Sequence, residues 1–108
     1  MNFDEIAHGL HATSVDKGFY DSLDMADFVS QAKQLAMVHS EATEVLEALR
    51  KSHGSKAVVE ELSDILIRTL DLWSALDEAG VVEHSLDEVF REKANVNKDR
   101  PRMHGVKG

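Results

Sequence analysis

The chain has 108 residues, of which 43% are hydrophobic and 30% charged, and this composition suits one folded domain over residues 1–108 with a modest core. With 20 acidic and 12 basic residues the formal charge is −8, which argues against a nucleic-acid partner, because phosphate backbones are bound by clustered Lys and Arg. There is no cysteine, so disulfides, thiolate catalysis and cysteine-ligated metal sites are excluded.

No signal peptide and no membrane span are predicted. Asp4 and Glu5 interrupt the first ten residues, where a secretory signal needs an uninterrupted apolar run. No segment reaches the roughly 18 apolar residues that a membrane helix needs. We therefore expect a cytoplasmic protein without a membrane partner.

Helix-forming residues and helical spacing of the apolar positions predict an all-α fold. The first helix is expected from about Asn2 to Asp16, with a break at Gly18, because glycine readily adopts the backbone conformation that ends helices. Asp24 is the predicted N-cap of the second helix, which runs to about Lys51.

A third helix from about Lys56 to Glu78 and a fourth after Ser85 follow, and residues 95–108 read as a basic, polar C-terminal tail. The short connection between the second and third helices favours an antiparallel hairpin, and hence an antiparallel four-helix bundle-like protomer. The third helix is apolar over much of its circumference. This breadth predicts burial on two sides, and so a homodimer or homotetramer.

Two pairs of carboxylates lie at three-residue spacing on successive helices: Glu41 with Glu44, and Glu61 with Asp64. Residues three apart share a helix face, and both pairs border an apolar stripe at similar height in an antiparallel hairpin. Four converging carboxylates would repel one another unless a hard divalent cation such as magnesium binds them. The alternative is two solvated helix faces with basic partners such as Arg68.

The aromatic and histidine residues near this hairpin have more than one interpretation. Phe19 and Tyr20 follow Gly18; either one fills the core while the other lies on the surface, or one of them forms the wall of a pocket for a flat ligand. His39 is expected on the core side of its helix in a structural role. Trp73 is expected in the core or in an interface, because it lies in an apolar row.

Three stretches together resemble one family. The resemblance is carried by residues 40–44 (SEATE) and 61–64 (ELSD), residues 17–21 (KGFYD), and residues 92–101 (EKANVNKDRP) with His104-Gly105. They are similar to the E-E-x-x-E and E-x-x-D motifs, the K-G-W-W-type loop and the E-K-x-x-x-N-x-x-R-P tail ending in H-G of the MazG family of all-α nucleoside triphosphate pyrophosphohydrolases. Ser40 stands where the family pattern has its first glutamate.

The resemblance implies an enzyme that hydrolyses a nucleoside triphosphate, most readily a deoxynucleotide, to the monophosphate and pyrophosphate in nucleotide-pool housecleaning. It implies Mg²⁺, with Mn²⁺ as a substitute, bound by Glu41, Glu44, Glu61 and Asp64. Glu41 or Glu44 would also orient or deprotonate the attacking water. The expected substrate contacts come from Lys93, Asn97, Lys98, Arg100, Phe19 and Tyr20.

Two other functions fit the same sequence. One is a non-catalytic helical oligomerisation module, whose third helix is a partner surface and whose carboxylates are solvated. The other is a nucleotide-binding regulatory module that keeps the site without turnover. For the basic residues after Lys93, the alternative to phosphate binding is a disordered tail.

Overall fold

The computed structural model describes residues 1–101, and over this range the chain forms four α-helices and no β-strand. They are α1 (Phe3–Asp16), α2 (Phe28–Arg50), α3 (Ser55–Glu78) and α4 (Leu86–Lys98). The all-α prediction is confirmed, and the arrangement is bundle-like. Within the described range, no helix combines the length and the apolar character needed to cross a bilayer.

Local signals set both ends of α1. The Asn2 side chain accepts a hydrogen bond from the Glu5 N–H at 2.9 Å, and the Glu5 carboxylate accepts one from the Asn2 N–H at 2.9 Å, which completes a capping box. At the other end Gly18 has φ +83°, and a Cβ there would lie 3.0 Å from the Asp21 carboxylate. The predicted break at Gly18 is therefore confirmed, because only glycine adopts this backbone without strain.

The predicted N-cap of α2 is wrong: the cap is Asp27 and not Asp24. The Asp27 carboxylate accepts hydrogen bonds from the Val29 N–H at 3.1 Å and the Ser30 N–H at 3.4 Å. Asp24 belongs instead to the preceding turn, where its carboxylate accepts from the Ala26 N–H at 3.0 Å. The backbone of that turn closes on itself before the helix begins, since the Asp27 N–H donates to the Asp24 carbonyl at 2.8 Å.

Asp27→Ala is expected to lower the free energy of unfolding by about 1 kcal/mol, because N–H groups in the first turn of α2 lose their acceptor. Asp24→Ala is the matched control, since it removes one bond in an exposed turn and no helix cap. Chemical denaturation of both variants checks the assignment. A loss for Asp24→Ala equal to or larger than that for Asp27→Ala would contradict it.

α3 is the central helix, because it packs against both α1 and α2. Small buried residues, including Ala7 on α1 and Ala75 on α3, let the helices approach closely. The interface between α1 and α3 is also polar, with His8 Nδ1 lying 2.7 Å from the Ser74 hydroxyl. Polar groups placed here are satisfied by partners on the facing helix, as buried polar groups require.

α4 attaches to the beginning of α1. The rings of Phe3 and Phe90 meet edge to face with centroids 4.8 Å apart, and the Ser85 hydroxyl donates to the Asp4 carboxylate at 2.7 Å. The helix continues to Lys98, so residues 95–98 of the predicted tail are helical. Residues 102–108, including the histidine and glycine of the tail motif, lie outside the described residues.

α2 carries a second apolar stripe, which faces solvent and which we call the outer stripe. Its members recur at alternating intervals of four and three residues and are all exposed: Phe28, Ala32, Leu35, His39, Ala42, Leu46 and Leu49. α3 adds exposed Val59, Leu62 and Leu66. The prediction that His39 lies on the core side is wrong, because α2 has two apolar stripes. Val38, Val45 and Ala48 lie against the body of the protein, whereas His39 belongs to the exposed outer stripe.

Candidate functional site

Three carboxylates from α2 and α3 converge, and we call them the acidic cluster. Glu41, Glu61 and Asp64 each offer one oxygen, and these oxygens all lie within 4.8 Å of one another. Glu61 and Asp64 point the same way because they are three residues apart on α3, and Glu41 faces them from α2. Three of the four residues predicted to form a metal site are thus brought together.

Glu61 is in an unfavourable position in the acidic cluster. Its Oε1 atom is buried and has no hydrogen-bond partner among residues 1–101, a state that costs free energy. Loss of solvation, and then the charges of Glu44, Asp64 and Glu41, raise the pKa of the Glu61 carboxyl. A cation in the cluster would remove both penalties.

The donor set fits magnesium. Mg²⁺ prefers oxygen ligands at about 2.0–2.1 Å and usually retains several waters, so two or three carboxylates are enough for one ion. Oxygens bound to one such ion lie at most about 4 Å apart, and the oxygens of the acidic cluster lie within 4.8 Å of one another, which is close to this span. Glu41, Glu61 and Asp64 are therefore suitable ligands.

Arg68 already compensates one member of the acidic cluster. Its Nε donates to Glu41 Oε2 at 2.7 Å, and Glu41 is only 8% exposed. The alternative of solvated helix faces named Arg68 as a partner for Asp64 on its own helix. The structure pairs it instead with a buried carboxylate on the facing helix, so Glu41 and Arg68 are not part of a solvated face.

Glu44 does not join the other three carboxylates. It is exposed, contrary to the expectation that it borders the core. A three-residue step offsets two side chains by about 60° around the helix axis, and on α2 this offset places Glu44 on the solvent side of Glu41. Its charge still contributes to the raised pKa of Glu61, so it lies at the edge of the acidic cluster. The neighbouring Glu47 and Glu60 form ion pairs with basic residues on their own helices.

Two adjacent clefts lie beside the acidic cluster. The first has a volume of about 210 Å³ and is lined by Ser14, Phe19, Glu41, Asp64, Ile67, Arg68 and Asp71. The second has a volume of about 280 Å³ and is lined by Phe19, Tyr20, Lys33, Gln34, Met37, Arg68 and Asp71. Because they share Phe19, Arg68 and Asp71, the clefts meet at these three residues.

The two aromatics of the loop after α1 have different environments. Phe19 is 64% exposed and forms a wall of both clefts. Tyr20 is partly buried, with its ring edge-on to His11 at a centroid distance of 4.6 Å. Burial, and then the nearby Asp71 carboxylate, raise the pKa of the Tyr20 phenol. Tyr20 therefore keeps its proton at neutral pH, with its phenol near Asp71, and it lines the second cleft.

Asp71 was missed by sequence reasoning. Its Oδ1 lies 2.7 Å from His11 Nδ1, and its Oδ2 accepts a hydrogen bond from the Ser14 hydroxyl at 2.7 Å. The sequence does carry a signal, because Glu61, Asp64, Arg68 and Asp71 recur at intervals of three and four residues on a helix rich in apolar residues. Such a charged stripe over three turns is typical of a polar site between packed helices.

The polar residues of α4 and the following Arg100 do not line the clefts beside the acidic cluster of their own chain. Lys93, Asn97, Lys98 and Arg100 are all exposed, and in the described range neither of the two clefts is lined by a residue of α4. α4 contacts the beginning of α1 at Phe3, whereas the cleft residue Ser14 lies about 16 Å further along that helix. The role of these four α4 and tail residues as phosphate contacts stays a prediction.

The raised pKa of Glu61 predicts a pH dependence of stability. Between the ordinary pKa of a glutamate and the raised value, the folded protein binds more protons than the unfolded chain, so the free energy of unfolding falls as the pH rises through this interval. We expect Glu61→Gln to remove this part of the slope in the presence of a chelator. Denaturation at a series of pH values measures it.

Glu60→Gln is the matched control for this prediction, because Glu60 is the adjacent residue and is exposed. It should retain most of the wild-type slope, because the Glu60 charge is the smallest of the causes that raise the pKa of Glu61. A Glu61→Gln protein whose stability still falls with pH as steeply as the wild type would contradict the assignment of the raised pKa to Glu61.

Comparison of the chain with models of protein families, with curated proteins and with solved structures found no match. The resemblance to the MazG family therefore rests on the sequence motifs alone, and function has to be argued from the acidic cluster and the clefts beside it.

Proposed function

We propose that the protein is a magnesium-dependent, MazG-like nucleoside triphosphate pyrophosphohydrolase, which cleaves a (deoxy)nucleoside triphosphate to the monophosphate and pyrophosphate in nucleotide-pool housecleaning. The observation that carries the proposal is the acidic cluster. Three carboxylate oxygens lie within 4.8 Å of one another, and one of these carboxylates keeps a buried oxygen without a partner in the described part of the chain. This donor set suits a hard divalent cation.

Glu41, Glu61 and Asp64 would hold Mg²⁺, or Mn²⁺ in its place, and Glu44 could approach from the exposed edge. When bound, the ion supplies neutralisation of the triphosphate charge and polarisation of a phosphoryl oxygen. Of the two candidates for orienting the attacking water, Glu44 is favoured, because one oxygen of Glu41 is already bonded to Arg68.

The clefts supply the remaining contacts of the proposed site. The exposed ring of Phe19 can stack on a base, and Tyr20 lines the second cleft. Arg68 is the cation shared by both clefts, where it can pair with a phosphate. In this proposal further phosphate contacts come from Lys93, Asn97, Lys98 and Arg100. Because α4 does not line the clefts of its own chain, these residues would contact phosphates bound by a second copy.

We also propose that the protomer is an antiparallel bundle that assembles into a homodimer or homotetramer. The four-residue connection 51–54 between α2 and α3 and the contact between Arg68 and Glu41 support the antiparallel direction. The outer stripe supports assembly, because its alternating spacing of four and three residues is that of helices which pack on one another. Exposed apolar patches of this kind mark protein interfaces.

The competing functions are the non-catalytic oligomerisation module and the nucleotide-binding regulator. The observation that favours the first is the bond between Arg68 and Glu41, which compensates one buried carboxylate without any ion. A module of this kind would use the outer stripe alone and would leave Glu61 unpaired. A regulator would bind nucleotide and magnesium but would release no product.

The test is incubation with a panel of ribo- and deoxynucleoside triphosphates and Mg²⁺, with the nucleotide and phosphate products resolved. The proposal predicts a nucleoside monophosphate and pyrophosphate in equal amounts. Binding without turnover would indicate the regulator, and the absence of both binding and cleavage would contradict the proposal. Release of orthophosphate with a diphosphate would place the cleavage at a different bond.

A further inference from the structure

Arg68 lies between the acidic cluster and Asp71 on one face of α3. It follows Asp64 by four residues and precedes Asp71 by three, so the three side chains share a face. Its Nε donates to Glu41 Oε2 at 2.7 Å, yet the side chain is 37% exposed. It also lines both clefts, as Asp71 does. The guanidinium therefore has room to turn from Glu41 towards Asp71 within the two clefts.

Arg68 and a divalent cation would compete for Glu41. The oxygens of the acidic cluster lie within 4.8 Å of one another, so a guanidinium that stays on Glu41 Oε2 is within a few ångströms of any ion held there. Like charges at this distance repel strongly where water is partly excluded. The bond between Arg68 and Glu41 has to weaken when the acidic cluster is filled.

Asp71 is the acceptor that this displacement requires. Its side chain is 13% exposed and is held by His11 Nδ1 and the Ser14 hydroxyl, each at 2.7 Å. A carboxylate has about four lone-pair sites, so the contacts of Asp71 with His11, Ser14 and the nearby Tyr20 phenol leave capacity for one more. α1 thus holds Asp71 in place, about one turn of α3 away from Arg68.

We propose that Arg68 is a positioning residue that exchanges between two carboxylates, bonding Glu41 while the acidic cluster is without a cation and Asp71 when a divalent cation is bound. The inference rests on the proposed function, because it takes the acidic cluster to be a metal site. Arg68 limits repulsion in the cluster before the metal arrives. Asp71 promotes metal binding without touching the metal, by accepting the displaced guanidinium where the two clefts meet.

The test is a calorimetric titration of the full chain with Mg²⁺, without nucleotide. Arg68→Gln is expected to raise the affinity for Mg²⁺ by about 10-fold, because the competitor is removed, and Asp71→Asn to lower it by about 10-fold, the lower end of outer-shell effects on metal sites. In the Arg68→Gln background, Asp71→Asn is expected to have no effect. This non-additivity is the signature of a residue that acts only through Arg68.

Arg50→Gln is the matched control, because it breaks another arginine–glutamate pair, with Glu47, at the surface of α2. It should leave the affinity unchanged. Thermal unfolding confirms that each variant is folded. Arg68→Lys, which keeps the charge, should bind Mg²⁺ more weakly than Arg68→Gln, and this second variant keeps the test decisive if Asp71→Asn fails to fold.

Two results would overturn the inference. One is Mg²⁺ binding by Arg68→Gln that is no tighter than binding by the wild type, and the other is an equal effect of Asp71→Asn with and without Arg68. If the wild type binds Mg²⁺ and Arg68→Gln shows no gain, only the exchange of Arg68 fails. If neither protein binds Mg²⁺, the metal site of the proposed function fails as well.

Discussion

Replacing Asp64 by asparagine is expected to reduce magnesium-dependent hydrolysis of the preferred nucleoside triphosphate by at least about 100-fold, the range for losing one group that stabilises developing charge. Asp64 lines the first cleft and belongs to the acidic cluster. Asparagine keeps the shape of the side chain but supplies no negative charge to a cation. The variant should also need a higher Mg²⁺ concentration to reach its maximal rate.

Steady-state kinetics over a range of Mg²⁺ concentrations measures both effects. Glu60→Gln serves as the control, because it removes one carboxylate from the same helix at an exposed position and should keep wild-type kinetics. The fold of Asp64→Asn should be intact, since relief of repulsion in the acidic cluster stabilises the metal-free protein. Wild-type turnover by a folded Asp64→Asn protein would contradict the role given to this cluster.

Leu46→Glu is expected to convert the oligomer into a monomer. Leu46 is 59% exposed in the single chain and lies within the outer stripe. In the proposed assembly this position is buried, and an unpaired carboxylate buried in an interface is strongly unfavourable. The fold of the protomer should tolerate the change, because the same position faces solvent in one chain.

Analytical ultracentrifugation over a range of protein concentrations tests this prediction. Val15→Glu is the control, because Val15 is an exposed apolar residue on α1 outside the outer stripe, and it should leave the mass unchanged. The wild-type melting temperature should also rise with protein concentration, as expected when association stabilises the fold. A wild-type monomer, or a Leu46→Glu protein with wild-type mass, would contradict the proposed assembly.

The features that the sequence predicted well depend on local signals. The beginning of α1 at Asn2 and its end at Gly18 follow from side-chain capping and from a backbone angle that only glycine tolerates. The start of α2 did not follow, because Asp24 and Asp27 carry the same local signal. The choice between them depends on the hydrogen bond that closes the turn between these two residues.

The side of α2 on which His39 lies could not be read from periodicity. α2 has two apolar stripes, one against the body of the protein and one exposed, and both have helical spacing. Which stripe is buried within a single chain is decided by the packing of α3, and periodicity carries no information on that packing.

The convergence of three carboxylates was predictable from the sequence, and the hydrogen-bond partners around them were not. Three-residue spacing on α3 predicted that Glu61 and Asp64 share a face. The short connection between α2 and α3 predicted that Glu41 lies near them, and the three carboxylates do converge. Glu44 faces solvent, because the side of α2 that meets the acidic cluster is too narrow to include both Glu41 and Glu44. The bonds of Arg68 to Glu41 and of Asp71 to His11 cross between helices, so they depend on tertiary packing.

The most direct test of the acidic cluster is a calorimetric titration of the wild type, Glu61→Gln and Glu60→Gln with Mg²⁺. The two substitutions differ by one position on α3, and only Glu61 carries a buried oxygen without a partner in residues 1–101. The proposed metal site predicts saturable binding by the wild type and by Glu60→Gln, and loss of that binding in Glu61→Gln. Equal binding by all three proteins, or no binding by the wild type, would contradict it.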